Sequence, residues 1–263
     1  MTDKPVITVT HLDAGYDTPL IQDISFEVQR GEIFVILGGS GCGKSTLLKH
    51  LIGLNAPLKG EIRINGDRIF GSSPDERTRA IRHFGVTYQS GALFGSMTLL
   101  ENVCLPLESF TCLPRAACHR IAEMKLDQVG LRAYIGSFPS DISGGMKKRA
   151  AIARAMALDP EILFLDEPSA GLDPVTSAAL DRLILRLRDT HGVTVVMVSH
   201  ELASIFAVAN RCIMLDRQTR SVIAEGAPSL LRDQPPNATV RAFFNRESEP
   251  ETPVVTEKIG HTS

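Results

Sequence analysis

The sequence predicts an α/β fold, in which helices flank a parallel sheet, and three observations carry this prediction. Continuous apolar runs typical of fully buried strands occur at Ile33–Leu37, Ile162–Leu165 and Val193–Val198. Stretches with helical spacing of apolar residues separate these runs. The first run leads directly into a glycine-rich turn that begins at Gly38. Strand, glycine-rich turn and helix in this order are typical of a phosphate-binding fold.

Antiparallel strands are predicted next to this core, because alternating apolar and polar residues are typical of a strand with one buried face. Val6–Thr10 and Ile24–Val28 alternate in this way. An Asn-Gly pair at residues 65–66, which is a strong hairpin signal, separates Glu61–Ile64 from Arg68–Phe70. The N-terminal part is therefore expected to add an antiparallel β subdomain to the core.

Helices are predicted at about residues 90–159, where no strand pattern occurs. Apolar residues recur at helical spacing over Arg115–Val129 and Gly144–Leu158. We interpret this stretch as a helical subdomain inserted into the α/β core.

The strand pattern resumes after this insertion and ends with a predicted hairpin that contains Cys212–Leu215. We expect one nucleotide-binding domain over residues 1–240. Residues 241–263, with prolines and scattered charges, are expected to form a C-terminal extension that is partly disordered. Within it, Phe243 and Phe244 either anchor a neighbouring protein or cap their own domain.

Composition excludes several classes of protein. The chain has 263 residues, of which 43% are hydrophobic and 22% charged, as in an ordinary globular protein. A net charge of −2 gives no argument for a nucleic-acid partner. No apolar run approaches the roughly 20 residues of a membrane span, and the first residues lack a secretory signal pattern, so we expect a cytoplasmic location. The five cysteines form no Cys-x-x-Cys pair, which favours reduced thiols over disulfides or zinc.

The glycine-rich turn matches the Gly-x-x-x-x-Gly-Lys-Ser/Thr pattern of a phosphate-binding loop. Lys44 is expected to reach the β and γ phosphates, and the Ser45 hydroxyl to bind Mg²⁺. A merely flexible turn would not require lysine and serine at these positions. We interpret Cys42 as a small residue that fits the turn rather than as a reactive thiol. The residues expected to contact the phosphates are Gly38, Gly39, Ser40, Gly41, Cys42, Gly43, Lys44, Ser45 and Thr46.

Two acidic residues and a histidine follow later strands of the predicted sheet. Asp166 and Glu167 end the strand Ile162–Leu165, and His200 follows Val193–Val198. The carboxyl ends of parallel strands form the crevice in which α/β proteins bind ligands. We therefore expect Asp166 to hold Mg²⁺ and Glu167 to orient or deprotonate the attacking water.

The stretch Ile142-Ser143-Gly144-Gly145-Met146 resembles the Leu-Ser-Gly-Gly-Gln signature of ATP-binding cassette (ABC) ATPases. The resemblance covers roughly Val6 to Gly226. It implies a P-loop NTPase of the ABC ATPase fold, with a RecA-like parallel-sheet core. Other family motifs occur in the family's order: Tyr16 resembles the adenine-stacking A-loop aromatic, Gly38–Ser45 the Walker A loop, Gln89 the Q-loop, Ile162–Glu167 the Walker B motif, Ser169–Asp173 the D-loop and His200 the switch histidine.

This resemblance implies ATP and Mg²⁺ as ligands, with Glu167, His200 and Gln89 acting in catalysis. Mg²⁺ would be held at Ser45, Gln89 and Asp166. The family also implies a head-to-tail homodimer in which ATP lies between the Walker A loop of one copy and Ser143, Gly144 and Gly145 of the other.

The segment Gln89–Phe94 resembles that of the Mla-type (MlaF-like) ATPases of phospholipid and organic-solvent-resistance transporters. The resemblance implies a separate, MlaE-like membrane permease, accessory lipid-binding subunits, and a place on the cytoplasmic face of the inner membrane. Ser90–Leu107 is the expected docking segment, with the apolar residues Leu93, Phe94, Met97 and Leu99. These side chains could instead fill the core of the helical subdomain. The cationic triplet Lys147–Arg149 is interpreted as a solvated helix face.

Three alternatives differ from lipid transport. An ATPase of a small-solute importer, for example for amino acids, would carry the same motifs. A soluble ABC protein of DNA repair or translation would require long insertions, a second cassette or a basic face, and none of these is visible. A non-catalytic nucleotide-binding scaffold would be expected to lack Glu167 or His200, and both are present.

Overall fold

The computed structural model describes residues 4–71 and 73–247, which form two sheets and nine α-helices. The strands are β1 (Ile7–Gly15), β2 (Pro19–Val28), β3 (Ile33–Gly38), β4 (Lys59–Ile64), β5 (Asp67–Arg68), β6 (Phe84–Thr87), β7 (Ile162–Asp166), β8 (Thr194–Val198), β9 (Arg211–Leu215) and β10 (Val222–Gly226). The helices are α1 (Lys44–Leu51), α2 (Pro74–Arg82), α3 (Leu99–Phe110), α4 (Arg115–Gln128), α5 (Gly144–Ala155), α6 (Pro174–His191), α7 (Leu202–Val208), α8 (Pro228–Asp233) and α9 (Ala238–Asn245).

The larger sheet has the strand order β10-β9-β3-β8-β7-β6, and its strands are parallel except β10, which pairs antiparallel with β9. Asp166 at the end of β7 pairs with Val198 at the end of β8. Gly38 at the end of β3 pairs with Leu215 of β9. The parallel core expected from the sequence is confirmed, and its register places the chain segments that follow β3, β7 and β8 along one edge.

The apolar strands are buried on both faces because each face supports a separate hydrophobic core. Alternate residues of a strand point to opposite sides of the sheet. Val35 and Leu163 belong to the core formed with α3 to α7, whereas Phe34 and Phe164 belong to the core formed with α1 and the second sheet. Continuous apolar runs therefore mark these strands in the sequence.

The second sheet is antiparallel, with the order β2-β1-β4-β5. Helix α1 lies between the two sheets, where Leu47, Leu48 and Leu51 share one core with residues of β1 and β3. The position of α1 is consequently determined by packing on both of its sides.

Three α-helices, α3 to α5, lie between β6 and β7 in the part that we interpreted as a helical subdomain, and they pack on one another. The sequence analysis predicted α4 and α5 but missed α3. Pro106 lies inside α3 and obscured its helical pattern. A capping box formed by Thr98 and Glu101 starts this helix and is the local signal that could have revealed it. No helix within the described ranges is long and apolar enough to cross a membrane.

Helices α8 and α9 were also not predicted, because the prolines of this region suggested irregular structure. Pro228 instead occupies the first turn of α8, where proline is tolerated. The predicted boundary at residue 240 lies inside α9. Phe244 is 4% exposed, and its ring lies 5.8 Å from that of Phe206, so it caps its own domain. The remainder of the expected extension, residues 248–263, lies outside the described residues.

Candidate nucleotide-binding site

The loop from β3 to α1 requires glycine at two positions. Gly38 has a φ of 146° and Gly43 a φ of 102°, values that other residues rarely adopt. A Cβ atom on Gly38 would lie 2.4 Å from the carbonyl oxygen of Leu215, and one on Gly43 would lie 2.9 Å from the Ile21 side chain. The loop can therefore lie close against β9 and β2 only with glycine at both positions.

Lys44 lies across this loop. Its Nζ donates hydrogen bonds to the carbonyl oxygens of Gly38, at 2.8 Å, and Gly39, at 2.9 Å. The first turn of α1 contains no acidic residue, and Gly43 provides no side-chain cap for the helix. The lysine charge and the uncapped N–H groups favour an anion at this point.

A cavity of about 660 Å³ opens beside the loop. It is lined by the predicted phosphate-binding residues apart from Cys42, together with Gln89, Glu167, His200 and Phe243. The structure thus brings the phosphate loop, Gln89, Glu167 and His200 to one cavity, and Leu20 of β2 and Phe243 of α9 are lining residues that were not predicted from the sequence.

Cys42 faces the protein interior rather than this cavity. It is 3% exposed, and burial raises the pKa of its thiol. Its Sγ would lie 2.5 Å from a Cβ on Gly38, so the space under the loop is filled by the sulfur. These contacts support its interpretation as a small residue that fits the turn.

A hydroxyl and a carboxylate lie together at the mouth of the loop. The Oγ of Ser45 is 3.5 Å from Oδ1 of Asp166. Burial, and secondly the neighbouring charge of Glu167, raise the pKa of Asp166. A carboxyl group whose ionised form is unfavourable gains from a nearby cation, and these oxygen ligands are those that Mg²⁺ prefers. The residues present therefore fit Mg²⁺, which when bound with ATP neutralises charge on the phosphate oxygens.

Glu167 has a left-handed backbone, with a φ of 46°, which costs a non-glycine residue about 1–3 kcal/mol. Its N–H donates to the carbonyl of Val198 at 2.9 Å, and its own carbonyl accepts the N–H of Ala170 at 3.2 Å. Its Oε1 lies 2.8 Å from Nδ1 of His200. The carboxylate can only accept in this bond, which assigns a proton to Nδ1 of His200. The strained backbone and the histidine together hold the carboxylate at the sheet edge.

Lys148 is a residue of this site that the sequence analysis missed. It is half-buried, and its Nζ donates to the backbone carbonyls of Gln89 and, at 3.3 Å, Glu167. Burial lowers the pKa of its ammonium group. The interpretation of Lys147–Arg149 as a solvated helix face is therefore wrong for Lys148. No local pattern distinguishes it from Lys147.

The segment after Gln89 is held mainly by side chains from α3 and α5. Arg154 donates to the carbonyls of Gly91, at 3.0 Å, and Ala92, at 2.7 Å. The buried side chain of Asn102 accepts the N–H of Phe94 at 2.8 Å and donates to the carbonyl of the same residue at 3.1 Å.

The apolar side chains of this segment are divided between surface and core. Phe94 is 51% exposed, whereas Leu99 is fully buried and Leu93 packs partly on the core. Leu99 therefore belongs to the core and not to a docking surface.

Two groups of predicted residues lie apart from the cavity lining. Tyr16 is 56% exposed at the turn between β1 and β2, and its hydroxyl lies 3.5 Å from Nζ of Lys49. Ser143 caps α5, where its Oγ accepts the N–H of Met146 at 3.3 Å. A Cβ on Gly145 would lie 2.4 Å from the Thr176 side chain. Gly145 thus lies against α6, and none of the three signature residues Ser143, Gly144 and Gly145 lines the cavity of its own chain.

Comparison with known proteins identifies the family. Residues 21–170, more than half of the chain, match the family model described as ABC transporter. The chain is 39% identical over 226 residues to the intermembrane phospholipid transport system ATP-binding protein MlaF of Escherichia coli K12, covering 86% of this chain and 83% of that protein. It is 40% identical to the probable ribonucleotide transport ATP-binding protein mkl of Mycobacterium leprae, covering 85% of this chain and 64% of that protein.

Solved structures agree with the fold. The dimeric ATP-binding cassette MJ0796, in a post-hydrolysis state with ADP and Pi, is 29% identical with a TM-score of 0.76, covering 84% of this chain and 98% of that chain. Another similar structure, cbiO1 of Clostridium perfringens, which is part of an ABC transporter complex, is 26% identical with a TM-score of 0.80, covering 88% of this chain and 91% of that chain. The phosphate loop, the carboxylates of Asp166 and Glu167 and these comparisons together establish that the chain belongs to the ABC transporter family. It is the ATP-hydrolysing subunit of such a transporter.

Proposed function

We propose that this ATPase drives phospholipid transport between the inner and outer membranes and so maintains the lipid asymmetry of the outer membrane. The observation that supports phospholipid as the substrate class is the share of the MlaF proteins over which the similarity extends. The MlaF proteins of Escherichia coli and Haemophilus influenzae match at 39% and 38% identity, over 83% and 87% of their own lengths. The mkl relative matches over 64% of its length.

The residues of the cavity suggest a division of labour in hydrolysis. Lys44 would bind the β and γ phosphates, and Ser45, Asp166 and Gln89 would hold Mg²⁺. Glu167 would accept a proton from the attacking water, an assistance typically worth about 10²–10⁴ in rate. His200, hydrogen-bonded to that carboxylate at 2.8 Å, would orient it.

A second copy would complete the site. Ser143, Gly144 and Gly145 lie outside the cavity of their own chain, and Ser143 and Gly144 are exposed at the start of α5. A helix N-terminus favours a negatively charged group, here the γ-phosphate bound by the partner copy. The dimeric cassette among the similar structures supports this arrangement.

A permease would dock on the exposed part of Ser90–Leu107, with Phe94 as the apolar contact. The ATPase would then lie on the cytoplasmic face of the inner membrane, beside an MlaE-like permease and accessory lipid-binding subunits. Half-exposed Phe94 is anchored at both its N–H and its carbonyl by Asn102. An aromatic side chain on a rigid backbone is typical of an interface anchor.

Co-purification combined with lipid analysis tests this proposal. The full chain, expressed in its native host, should isolate an integral membrane permease, and Phe94→Asp should lose the permease while keeping its thermal stability. Phe138→Asp, at another exposed phenylalanine, is the matched control and should keep the permease. Deletion of the gene should raise phospholipid in the outer leaflet of the outer membrane. Unchanged lipid together with impaired uptake of a small solute would overturn lipid transport in favour of a solute importer.

A further inference from the structure

His50 lies in the last turn of α1, at the end opposite Lys44, and is completely buried. Its Nε2 is 3.1 Å from the backbone nitrogen of Gly15 and 3.2 Å from the carbonyl oxygen of the same residue, and its Nδ1 is 2.8 Å from the carbonyl oxygen of Asn55. A neutral imidazole carries one ring proton, and placing it on Nδ1, which makes the shortest of these contacts, lets Nε2 accept the N–H of Gly15. Burial lowers the pKa of His50, which agrees with this neutral form.

This bond fixes the residue that precedes Tyr16. Gly15 closes a tight turn, since a Cβ on it would lie 2.2 Å from the carbonyl oxygen of Thr18. Lys49, the neighbour of His50 on α1, lies 3.5 Å from the hydroxyl of Tyr16. The end of α1 therefore contacts the turn that carries Tyr16 twice. Buried His50 contacts it on the inner side of the helix, and Lys49 contacts it at the surface.

Helix α1 connects the two ends of the expected nucleotide site. It has eight residues, so that its axis is about 12 Å long. Its first residue is Lys44 of the phosphate loop, and its last turn holds Gly15 through His50. Because α1 packs between two sheets, the distance between the phosphate loop and the Tyr16 turn is determined by one rigid element.

We propose that His50 is a positioning residue for nucleotide binding, which holds the Tyr16 turn at the distance from the phosphate loop that ATP requires. This inference rests on the proposed role of Tyr16 in stacking on adenine. His50 contacts no part of the nucleotide. It acts through the Gly15 N–H, and its effect is confined to the base end of the ligand.

A ligand without a base separates this role from a general structural one. Inorganic tripolyphosphate with Mg²⁺ uses the phosphate loop but offers nothing to Tyr16. The experiment compares the dissociation constants of ATP and tripolyphosphate for the full chain by calorimetry, with thermal unfolding measured in parallel. The variants are His50→Leu, which removes the acceptor, His50→Gln, which keeps an acceptor that can reach Gly15, and Tyr16→Ala as the reference.

We expect His50→Leu and Tyr16→Ala to weaken ATP binding about tenfold, within the range that stacking contributes per base. Neither should change tripolyphosphate binding, and His50→Gln should bind both ligands like the unmodified chain. Thr194→Val is the matched control. Its hydroxyl, also fully buried, accepts the N–H of Gly31 at 2.9 Å at the start of β8, away from the site. This variant should lose stability without losing ATP affinity.

If His50→Leu weakened the binding of ATP and the binding of tripolyphosphate equally, the proposal would be overturned, because the result would indicate a structural role. Unchanged ATP binding by His50→Leu, when Tyr16→Ala weakens it, would also overturn the proposal while leaving the role of Tyr16 intact. Unchanged binding in Tyr16→Ala would refute the stacking role itself and this inference with it. If His50→Leu does not fold, His50→Asn, which can reach Asn55 but not Gly15, should weaken ATP binding relative to His50→Gln.

Discussion

The sheet edge that carries Asp166 and Glu167 and the segment after Gln89 are neighbours in the structure but are held in different ways. Gly38, Asp166 and Glu167 follow or end buried parallel strands, so the hydrogen bonds of the sheet place them. Residues 90–98 form neither strand nor helix, and side chains of α3 and α5 hold them. The sheet thus fixes the residues beside the phosphate loop, whereas side-chain hydrogen bonds tie the position of the segment after Gln89 to that of α3 and α5.

Lys148 joins the two regions, because it donates both to the carbonyl of Gln89 and to that of Glu167. It lies two turns or less from Ser143, at the start of the same helix. A movement of α5 would therefore reach the segment after Gln89 and Glu167 together. One side chain thus connects the two regions, although they are held in different ways.

The largest effect is expected at this sheet edge, for Glu167. Glu167→Gln should lower the ATP turnover rate by about 10²–10⁴, leave ATP affinity intact and favour a trapped dimer. Turnover, nucleotide binding and gel filtration with ATP and Mg²⁺ measure these outcomes. Glu201→Gln, at a nearby acidic residue outside the phosphate cavity, is the control and should turn over normally. Undiminished hydrolysis in Glu167→Gln would remove this residue as the base.

Asn102→Ala should have the next largest effect, and it acts on the segment after Gln89, which is held by side chains of α3 and α5. The variant leaves the Phe94 N–H and the carbonyls of Phe94 and Met97 without the Asn102 side chain as partner, whereas the Thr98 carbonyl keeps the backbone N–H of residue 102. We expect a loss of about 2–3 kcal/mol in the free energy of unfolding and a loss of permease binding. Denaturant unfolding and co-purification measure the two. Asn237→Ala, which removes the exposed cap of α9, should cost about 1 kcal/mol and keep permease binding. Equal costs would contradict a special role for Asn102.

Lys148→Met tests the bridge between the regions. We expect kcat for ATP to fall about tenfold with little change in KM, because the carboxylate is displaced and not removed. Lys148→Arg should restore part of the rate, and Lys147→Met should be neutral. Steady-state kinetics over a range of ATP concentrations distinguishes these results. A rise in KM at constant kcat would show that Lys148 acts in binding only.

The smallest expected effect is a gain in stability. Burial and Glu167 raise the pKa of Asp166 in the folded chain, so its ionised form lowers stability at neutral pH. Asp166→Asn should therefore raise the melting temperature of the ATP-free chain while abolishing Mg²⁺-dependent hydrolysis. The gain should be complete above the raised pKa and should vanish as the pH falls through it toward the ordinary value of 3.8. A lower melting temperature at neutral pH would contradict the assigned cause.

Prediction from the sequence succeeded where the signal is local. The buried strands appear as continuous apolar runs, and the spacing from Gly38 to Ser45 specifies a loop regardless of the rest of the chain. Prediction failed for α3, α8 and α9, where Pro106 and the prolines in and before the last two helices masked helices whose stability comes from packing. The capping box at Thr98 and Glu101 shows that α3 had a local signal of its own.

The sequence by itself determined the succession of the core strands along the chain, the phosphate loop and the acidic end of β7, because hydrophobic periodicity and motif spacing involve residues that are close along the chain. Only the tertiary structure decided which lysine of α5 reaches the site and that His50 holds the Tyr16 turn. Those bonds join residues separated by 59 positions for Lys148 and Gln89 and by 35 for His50 and Gly15. Contacts at such separations arise from the packing of whole elements, which no local pattern encodes.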